Sequence, residues 1–279
     1  MKYIYSLIFI SLISSHSIGQ ITSNLDVNDV NATITNTGTF FNDFTNGSAG
    51  YEVPSGSNKH CIYAASFWYG GRDLNDQLKL SAQFYQANQD LFPGPYSSNS
   101  SYNDPLFVSN YNNIWTITST EIQNHIINYN NLGYVTPNSI LTWPGNGDVS
   151  LGVNEQLAPY VDVNNDGFYI PSDGDYPNIK GCTASYIIMN DAADLHGTGG
   201  AIMGIEIHQM FYQFSTNDLG SYLNRTTFLE QRIINRGTQT FYDFYTTFFM
   251  DADIGNYTDD YVGCDSSRNM MYAYNGDAD

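Results

Sequence analysis

The chain has 279 residues, of which 42% are hydrophobic and 13% are charged, and its formal net charge is −19. A chain of this length can bury a core in one or two domains. The excess of acidic residues argues against nucleic acid or anionic lipid as a partner, because phosphate binding requires a basic patch. The 23 tyrosines and 16 phenylalanines exclude a disordered acidic tail, which would be poor in aromatic residues.

Residues Met1–Gly19 have the features of a secretory signal peptide. Lys2 supplies a positive charge, Tyr5–Ile13 is apolar, and small residues precede Gln20. The apolar run is shorter than the about 20 residues that cross a bilayer. We therefore expect an exported chain without a membrane span, either secreted or held at the cell surface.

The first part of the mature chain predicts short β-strands. Apolar residues alternate in Asp29–Thr35, and Thr39–Phe44 follows after a turn. The run His60–Tyr69 is almost continuously apolar and aromatic, which is typical of a strand buried on both faces. Gln77–Tyr85 alternates again, so we expect it to pair with the preceding strand as a β-hairpin.

Residues 86–180 lack this strand pattern and predict an irregular surface insertion, because proline and glycine are frequent there. The insertion contains a short strand at Asn113–Thr118. It also contains one helix, which begins at the capping box Thr118–Glu121 and ends at Gly133. The apolar content of the insertion is too small for an independent core.

Long strands dominate from Ala184 onward. The candidates are Ser185–Met189, Ile202–Phe214, Asn224–Asn235, Thr240–Asp251 and Asn269–Tyr274. Consecutive strands with tight turns and no intervening helix favour antiparallel pairing. The predicted fold class is therefore all-β. We expect an antiparallel β-sandwich, jelly-roll or immunoglobulin-like, over residues 20–279, with a loop-rich insertion at about 86–180 that contains one short helix.

An oxygen-rich loop lies near the end of the insertion. The side chains that stand at positions 1, 3, 5 and 12 of a calcium loop are Asp162, Asn164, Asp166 and Asp173. Gly167 stands at the sharp turn of such a loop. The Phe168 carbonyl and the Asp175 carboxylate would complete the shell around a Ca²⁺ ion.

The predicted calcium loop differs from an EF-hand, because Pro159, Pro171 and Pro177 argue against flanking helices. A stand-alone loop of the dockerin or thrombospondin-repeat sort is predicted, with an affinity of about 10⁻⁴–10⁻³ M. A solvated acidic turn is the alternative. A second oxygen-rich segment, which supports a second Ca²⁺ site and an acidic loop at a sheet edge about equally, contains Asp251, Asp253, Asn256, Asp259 and Asp260.

The search for catalytic motifs is negative, since neither H-E-x-x-H nor G-x-S-x-G occurs. The in-strand acids Glu206, Glu230 and Asp243 leave a polysaccharide hydrolase or lyase as the alternative function. Cross-strand polar pairing is favoured over catalysis for these acids, and Glu206 shares a strand face with His208.

Two further features concern binding and redox state. Trp143, which lies in a loop before a proline, is the best candidate platform for a ligand such as a sugar. Three cysteines in an oxidising compartment favour one disulfide and one free thiol, and Cys61–Cys182 is the candidate pair.

Several separated motifs give the chain a family resemblance. They are Tyr51–His60 (YEVPSGSNKH), Ser66–Gly71 (SFWYGG), Leu157–Gly167 (LAPYVDVNNDG), Asp173–Gly181 (DGDYPNIKG) and Asp259–Asp265 (DDYVGCD). Together they resemble the N-terminal module of large secreted Bacteroidetes proteins that carry a C-terminal sorting domain for type IX secretion. The resemblance spans most of the mature chain. It implies an extracellular or cell-surface destination and no defined activity.

One part of the family pattern is missing, because the chain contains no sorting domain and ends on the polar stretch Asn275–Asp279. We expect a fragment of a longer chain that meets the type IX secretion machinery through that missing domain. The sequence as a whole predicts a calcium-stabilised, non-catalytic module with a structural, adhesive or glycan-binding role. Its expected partner is an extracellular glycan or a surface protein.

Overall fold

The computed structural model describes residues 19–43, 46–85 and 89–276. Apart from its last residue, the predicted signal peptide Met1–Gly19 lies outside the described residues. Strands dominate the rest of the chain and every strand pair named below is antiparallel, which confirms the predicted all-β class. No helix in the described part of the chain is long and apolar enough to cross a membrane.

The elements follow one another along the chain in a simple order. The first nine strands are β1 (Thr22–Leu25), β2 (Asn31–Thr35), β3 (Thr39–Phe40), β4 (Asn42–Asp43), β5 (Ser48–Ala49), β6 (Tyr51–Glu52), β7 (His60–Arg72), β8 (Leu78–Ser81) and β9 (Phe92–Pro93). The insertion then contains helix α1 (Pro105–Tyr111), strand β10 (Trp115–Thr118), helices α2 (Ser119–Asn128) and α3 (Asn138–Leu141), and strands β11 (Tyr160–Val161) and β12 (Tyr176–Pro177). The last strands are β13 (Thr183–Asn190), β14 (Ile205–Gln213), β15 (Thr227–Asn235), β16 (Tyr242–Ala252), β17 (Asp260–Asp265) and β18 (Met270–Asn275).

Two sheets pack face to face. The first sheet has the order β1-β2-β6-β7-β16, and β3 and β8 also pair with β7; the second has the order β10-β13-β14-β15, and β9 pairs with β13. One apolar cluster joins residues of both sheets, such as Ile34 from the first and Ile207 from the second. Phe40 and Phe211 meet edge to face across it, with ring centroids 5.0 Å apart. The predicted hairpin of β7 with β8 is confirmed, since Tyr69 pairs with Ser81.

A second apolar core lies on the outer face of the second sheet. Tyr186 and Ile188 of β13 and Met210 of β14 point into it, and the insertion contributes side chains such as Phe107 and Trp143. The insertion therefore builds its core jointly with the sheet. As a result β13 and β14 are buried on both faces.

The structure corrects several local expectations. Strand β7 is only half-buried on parts of its length, although its apolar sequence predicted burial on both faces. Helices α1 and α3 accompany the predicted helix α2 in the insertion. Strand β17, which is absent from the predicted strands and begins at the last residue of the predicted acidic segment, pairs with β18 as a hairpin.

Candidate functional site

The segment Asp162–Asp175 forms a loop whose two ends are held together by the pairing of β11 with β12. Asp162 fixes its first turn, because the carboxylate oxygens accept the backbone N–H groups of Asn165 at 2.6 Å and Gly167 at 2.8 Å. Gly167 has a φ of 87°, which residues with a Cβ rarely adopt. The sharp turn predicted at this glycine is present.

Three predicted ligand side chains of this loop converge on one point. The Asn164 Nδ2 group donates to Asp166 Oδ2 at 2.9 Å and to Asp173 Oδ2 at 3.3 Å. The amide hydrogens thus offset the repulsion between two exposed carboxylates. A hard cation would offset that repulsion more strongly, and oxygen donors of this kind are the ligands that Ca²⁺ prefers.

The side chains available as ligands determine which kind of metal site the loop can form. Among residues 19–43, 46–85 and 89–276, no three His, Cys, Asp or Glu side chains form a cluster that could hold a metal ion. The loop offers two converging carboxylates with a side-chain amide between them at the surface. These residues fit a weak extracellular calcium site better than a tight buried one.

Asp175 fastens the loop from the inside. The side chain is fully buried, and its two oxygens accept the backbone N–H groups of Val163 and Ile170, each at 2.8 Å. A carboxylate that accepts backbone N–H groups on both limbs holds them at a fixed separation. Asp175 therefore acts in the structure as a tie between the limbs, while Asp166 and Asp173 face solvent.

Helix α2 supports the second limb of the loop. Its predicted capping box is present at Thr118 and Glu121. Gly174 has a φ of 102°, and a Cβ there would lie 2.8 Å from Cζ of Tyr129, the residue that caps the C-terminus of this helix. His125 of the same helix is fully buried, and burial lowers its pKa against the opposing effect of the neighbouring loop backbone.

The second oxygen-rich segment lies where β16 ends. Burial is the main cause that raises the pKa of Asp253, and repulsion from the charges of Asp260 and Asp251 raises it further. Asp260 accepts the backbone N–H of Ile254 at 2.9 Å, and Asp251 accepts the Tyr85 hydroxyl at 2.9 Å.

The remaining two residues of that segment lie in the next turn. The Asn256 side-chain oxygen accepts the backbone N–H and the hydroxyl of Thr258 at 3.2 and 2.8 Å, and the Asp259 N–H donates to the Asn256 carbonyl at 3.2 Å. These local bonds favour the acidic-turn interpretation of this segment over a second calcium site.

A buried polar network occupies the outer face of the second sheet, where the insertion covers β14. The Glu206 Oε1 atom lies 2.8 Å from His208 Nε2 and 2.7 Å from Arg236 Nη2. Burial opposes the ionisation of Glu206, but these two partners outweigh it and lower the pKa of the carboxyl group. The hydrogen-bond network continues from His208 Nδ1 to the Tyr186 hydroxyl, 2.7 Å away.

The candidate acids do not form an open catalytic pair. Glu206 is fully buried and His208 is 2% exposed, so neither can meet a polymer substrate. Glu230 pairs with Lys180 at the surface, and Asp243 belongs to β16 in the other sheet. A glycosidase needs two carboxylates about 5–10 Å apart on either side of an accessible bond.

The prediction that Trp143 is a ligand platform is wrong. Its indole is 3% exposed, its Nε1–H donates to the Pro159 carbonyl at 3.0 Å, and its ring lies 5.2 Å from that of Tyr186. The loop that carries Trp143 folds over the outer face of β13, so the indole fills the second core.

Aromatic side chains gather instead on the outer face of the first sheet. Trp68 stacks on Phe249 with centroids 5.4 Å apart and ring planes 8° apart. Phe84 and Tyr85 pack against Phe249 and are 41% and 38% exposed. Tyr63 lies 5.9 Å from Tyr85. We define these five residues as the aromatic face, which sequence reasoning missed because Trp68 was assigned to the core.

The predicted Cys61–Cys182 disulfide is not formed, and all three cysteines are free. Cys61 lies in β7, where its Sγ approaches the Tyr51 carbonyl at 3.9 Å. Cys182 immediately precedes β13, and its Sγ approaches the Ser215 carbonyl at 3.8 Å. Cys61 thus lies in the first sheet and Cys182 next to the second sheet, and the two thiols have different neighbours.

No protein-family model, curated protein or solved structure matches this chain. Its function is therefore inferred from its own residues.

Proposed function

We propose that this chain is a secreted or cell-surface, calcium-stabilised, non-catalytic module that binds an extracellular glycan. The aromatic face carries the proposal. Contiguous exposed apolar patches on soluble proteins mark interaction sites, and flat rings open on one side suit the apolar C–H faces of sugar rings. The Tyr85 hydroxyl donates a hydrogen bond to the Asp251 carboxylate at 2.9 Å, which orients the Tyr85 ring at the edge of the face.

Export is supported by the signal-peptide pattern in Met1–Gly19 and by the resemblance to secreted Bacteroidetes modules. The same resemblance makes the type IX secretion machinery the proposed route to the cell surface. A role in adhesion or in surface structure follows from the same binding face if the bound sugar belongs to another cell or to a matrix.

Calcium has a structural part in this proposal. The loop Asp162–Asp175 joins the insertion to the second sheet, and its exposed Asp166 and Asp173 repel each other. An ion that binds only the folded loop adds its binding free energy to the stability of the fold. The residues that would hold the ion are Asp162, Asn164, Asp166, Asp173 and the carbonyl of Phe168.

The alternative function, a polysaccharide hydrolase or lyase, lacks comparable support. The acids that it would use are enclosed, ion-paired or on different sheets, as with Glu206, Glu230 and Asp243. The non-catalytic module therefore remains the better proposal.

A glycan array tests the binding role. A defined set of glycans on the array should retain the purified chain. Phe84→Ala should weaken that retention, because Phe84 is an exposed residue of the aromatic face. Tyr222→Ala removes a more exposed aromatic ring, 76% exposed, outside this face and should change nothing. Retention that survives Phe84→Ala, or is lost equally in both variants, contradicts the assignment.

Thermal unfolding tests the calcium role. Calcium at about 10⁻³ M should raise the melting temperature of the chain above its value in a chelator, and magnesium should do so less. Asp166→Asn should remove most of the rise, whereas Asp26→Asn, at an exposed aspartate outside the loop, should keep it. An unchanged melting temperature with added calcium would sink this part of the proposal.

A further inference from the structure

A pocket with two arginines lies on the second sheet, on the opposite side of the sandwich from the aromatic face. The polar and aromatic residues that line it are Arg232, Arg236, Asn154, Gln156, Tyr160 and Asp162. The pocket has a volume of about 350 Å³. That volume is at the lower end of small-molecule sites, which measure about 300–1,000 Å³, and it suits a single sugar ring.

Arg232 is exceptional among the basic side chains of this acidic protein. The basic residues that pair with an aspartate or glutamate are Arg72, Lys79, Lys180, Arg225, Arg236 and Arg268. The Arg232 side chain is exposed and makes no ion pair and no side-chain hydrogen bond with any residue in the described ranges; Lys59, also exposed, is the other described basic residue without an ion pair. Unlike Lys59, Arg232 lines a pocket, where its planar guanidinium can bind an external anion through two hydrogen bonds.

The charged groups around the pocket differ in how far their hydrogen-bonding atoms are already occupied. Arg236 is neutralised by Glu206, which accepts from its Nε at 3.1 Å and its Nη2 at 2.7 Å. Asp162 also lines the pocket and keeps its negative charge, because the backbone N–H groups that its oxygens accept are neutral; within the described residues it forms no ion pair with Arg232. The N–H donors of the Arg232 guanidinium therefore remain available to a ligand carboxylate.

Three other residues that line the pocket offer acceptors and an apolar surface. Asn154 Nδ2 donates to the Gln156 carbonyl at 2.7 Å, and Gln156 Nε2 donates to the Gly167 carbonyl at 3.3 Å. The side-chain oxygens of both amides are thus left to accept hydroxyl groups. The Tyr160 ring, held by its hydroxyl on the Gly167 carbonyl at 2.9 Å, adds a flat surface beside them.

We propose that this pocket binds the carboxylate of a sugar acid, such as one uronic-acid residue of an acidic polysaccharide. The planar guanidinium of Arg232 matches a carboxylate through two parallel hydrogen bonds, the amide oxygens accept sugar hydroxyls, and Tyr160 lies along the ring. The site is on a different sheet from the aromatic face, so this inference goes beyond the proposed function and does not depend on it.

Titration calorimetry with trigalacturonate as the probe tests the proposal, with a neutral galactose trisaccharide and a sulfated disaccharide as comparisons. Trigalacturonate should bind, and Arg232→Gln should weaken it about tenfold or more, as loss of a charge-assisted pair predicts. Arg232→Lys should give an intermediate loss because it keeps the charge without the fork. Arg225→Gln makes the same change in net charge at a 64% exposed side chain and should leave binding unchanged.

Other outcomes overturn the proposal. They are an absence of trigalacturonate binding, equal losses in Arg232→Gln and Arg225→Gln, and binding of the sulfated disaccharide in place of the carboxylated probe. A loss in Phe84→Ala but not in Arg232→Gln would move the ligand to the aromatic face and would also refute the pocket. Equal melting temperatures of the variants verify that each one folds.

Discussion

One buried histidine is expected to make the fold less stable in alkali. His196 lies in the connection between β13 and β14, with Nδ1 2.8 Å from the Leu80 carbonyl and Nε2 2.8 Å from the Asp191 carbonyl. Both ring nitrogens face oxygen acceptors, so both must carry a hydrogen, as only the imidazolium allows. The contact with Leu80 ties this connection to β8 of the first sheet.

The size of this stability change follows from the difference in the pKa of His196 between the folded and the unfolded chain. Burial opposes the charge of His196, but the carboxylate of Asp191, 3.5 Å from Nε2, and the two carbonyls raise the pKa from 6.5 to about 9. The unfolded chain loses this proton near pH 6.5, whereas the folded chain holds it to about pH 9. The stabilisation is therefore complete below pH 6.5 and is lost as the pH rises through about 9. It amounts to about 3 kcal/mol at most.

Urea unfolding at pH values on both sides of this window measures the effect. The free energy of unfolding of the unsubstituted chain should fall between pH 6.5 and about 9. His196→Gln should be less stable below the window and should lack most of the fall within it. His60→Gln, at the partly exposed start of β7, serves as the matched control and should follow the unsubstituted chain. Parallel profiles for His196→Gln and the unsubstituted chain would refute the assignment of the imidazolium.

Four further expectations concern the acidic loop, its supporting helix and the thiols. Gly174→Ala should destabilise the fold by about 1–3 kcal/mol in denaturant titrations, because its new Cβ would clash with helix α2; Gly199→Ala, whose φ is 80° with no atom within 4 Å, isolates the backbone contribution. Asp175→Asn should cost about 1–3 kcal/mol with or without calcium, since an amide N–H₂ would face a backbone N–H. The lowered pKa of His125 means that its stabilisation is present above pH 6.5 and is lost in acid, so His125→Gln should flatten the pH profile only below 6.5. Cys264 is the exposed thiol and should react with a thiol reagent in the native chain before the other two, which a mass-spectrometric count of modified cysteines verifies.

The sequence determined the features that depend on neighbouring residues. The capping box at Thr118 and the glycine turn at Gly167 formed as predicted, because their hydrogen bonds span only three to five residues. Alternation and composition predicted most of the long strands, and antiparallel pairing followed from the short connections between them. Helix α1 was equally readable, since Asp104 caps it and Pro105 opens it.

Only the tertiary structure decided which faces are covered. Trp143, expected at the surface, lies in the second core, because the insertion covers the outer face of the second sheet. Trp68, expected in the core, lies on the aromatic face, because the outer face of the first sheet is partly open. The same packing brings Arg236 onto Glu206 and leaves Arg232 without an ion pair among the described residues. A period of two assigns a side chain to one face of a strand, but contacts between residues far apart in the chain determine whether that face meets protein or water.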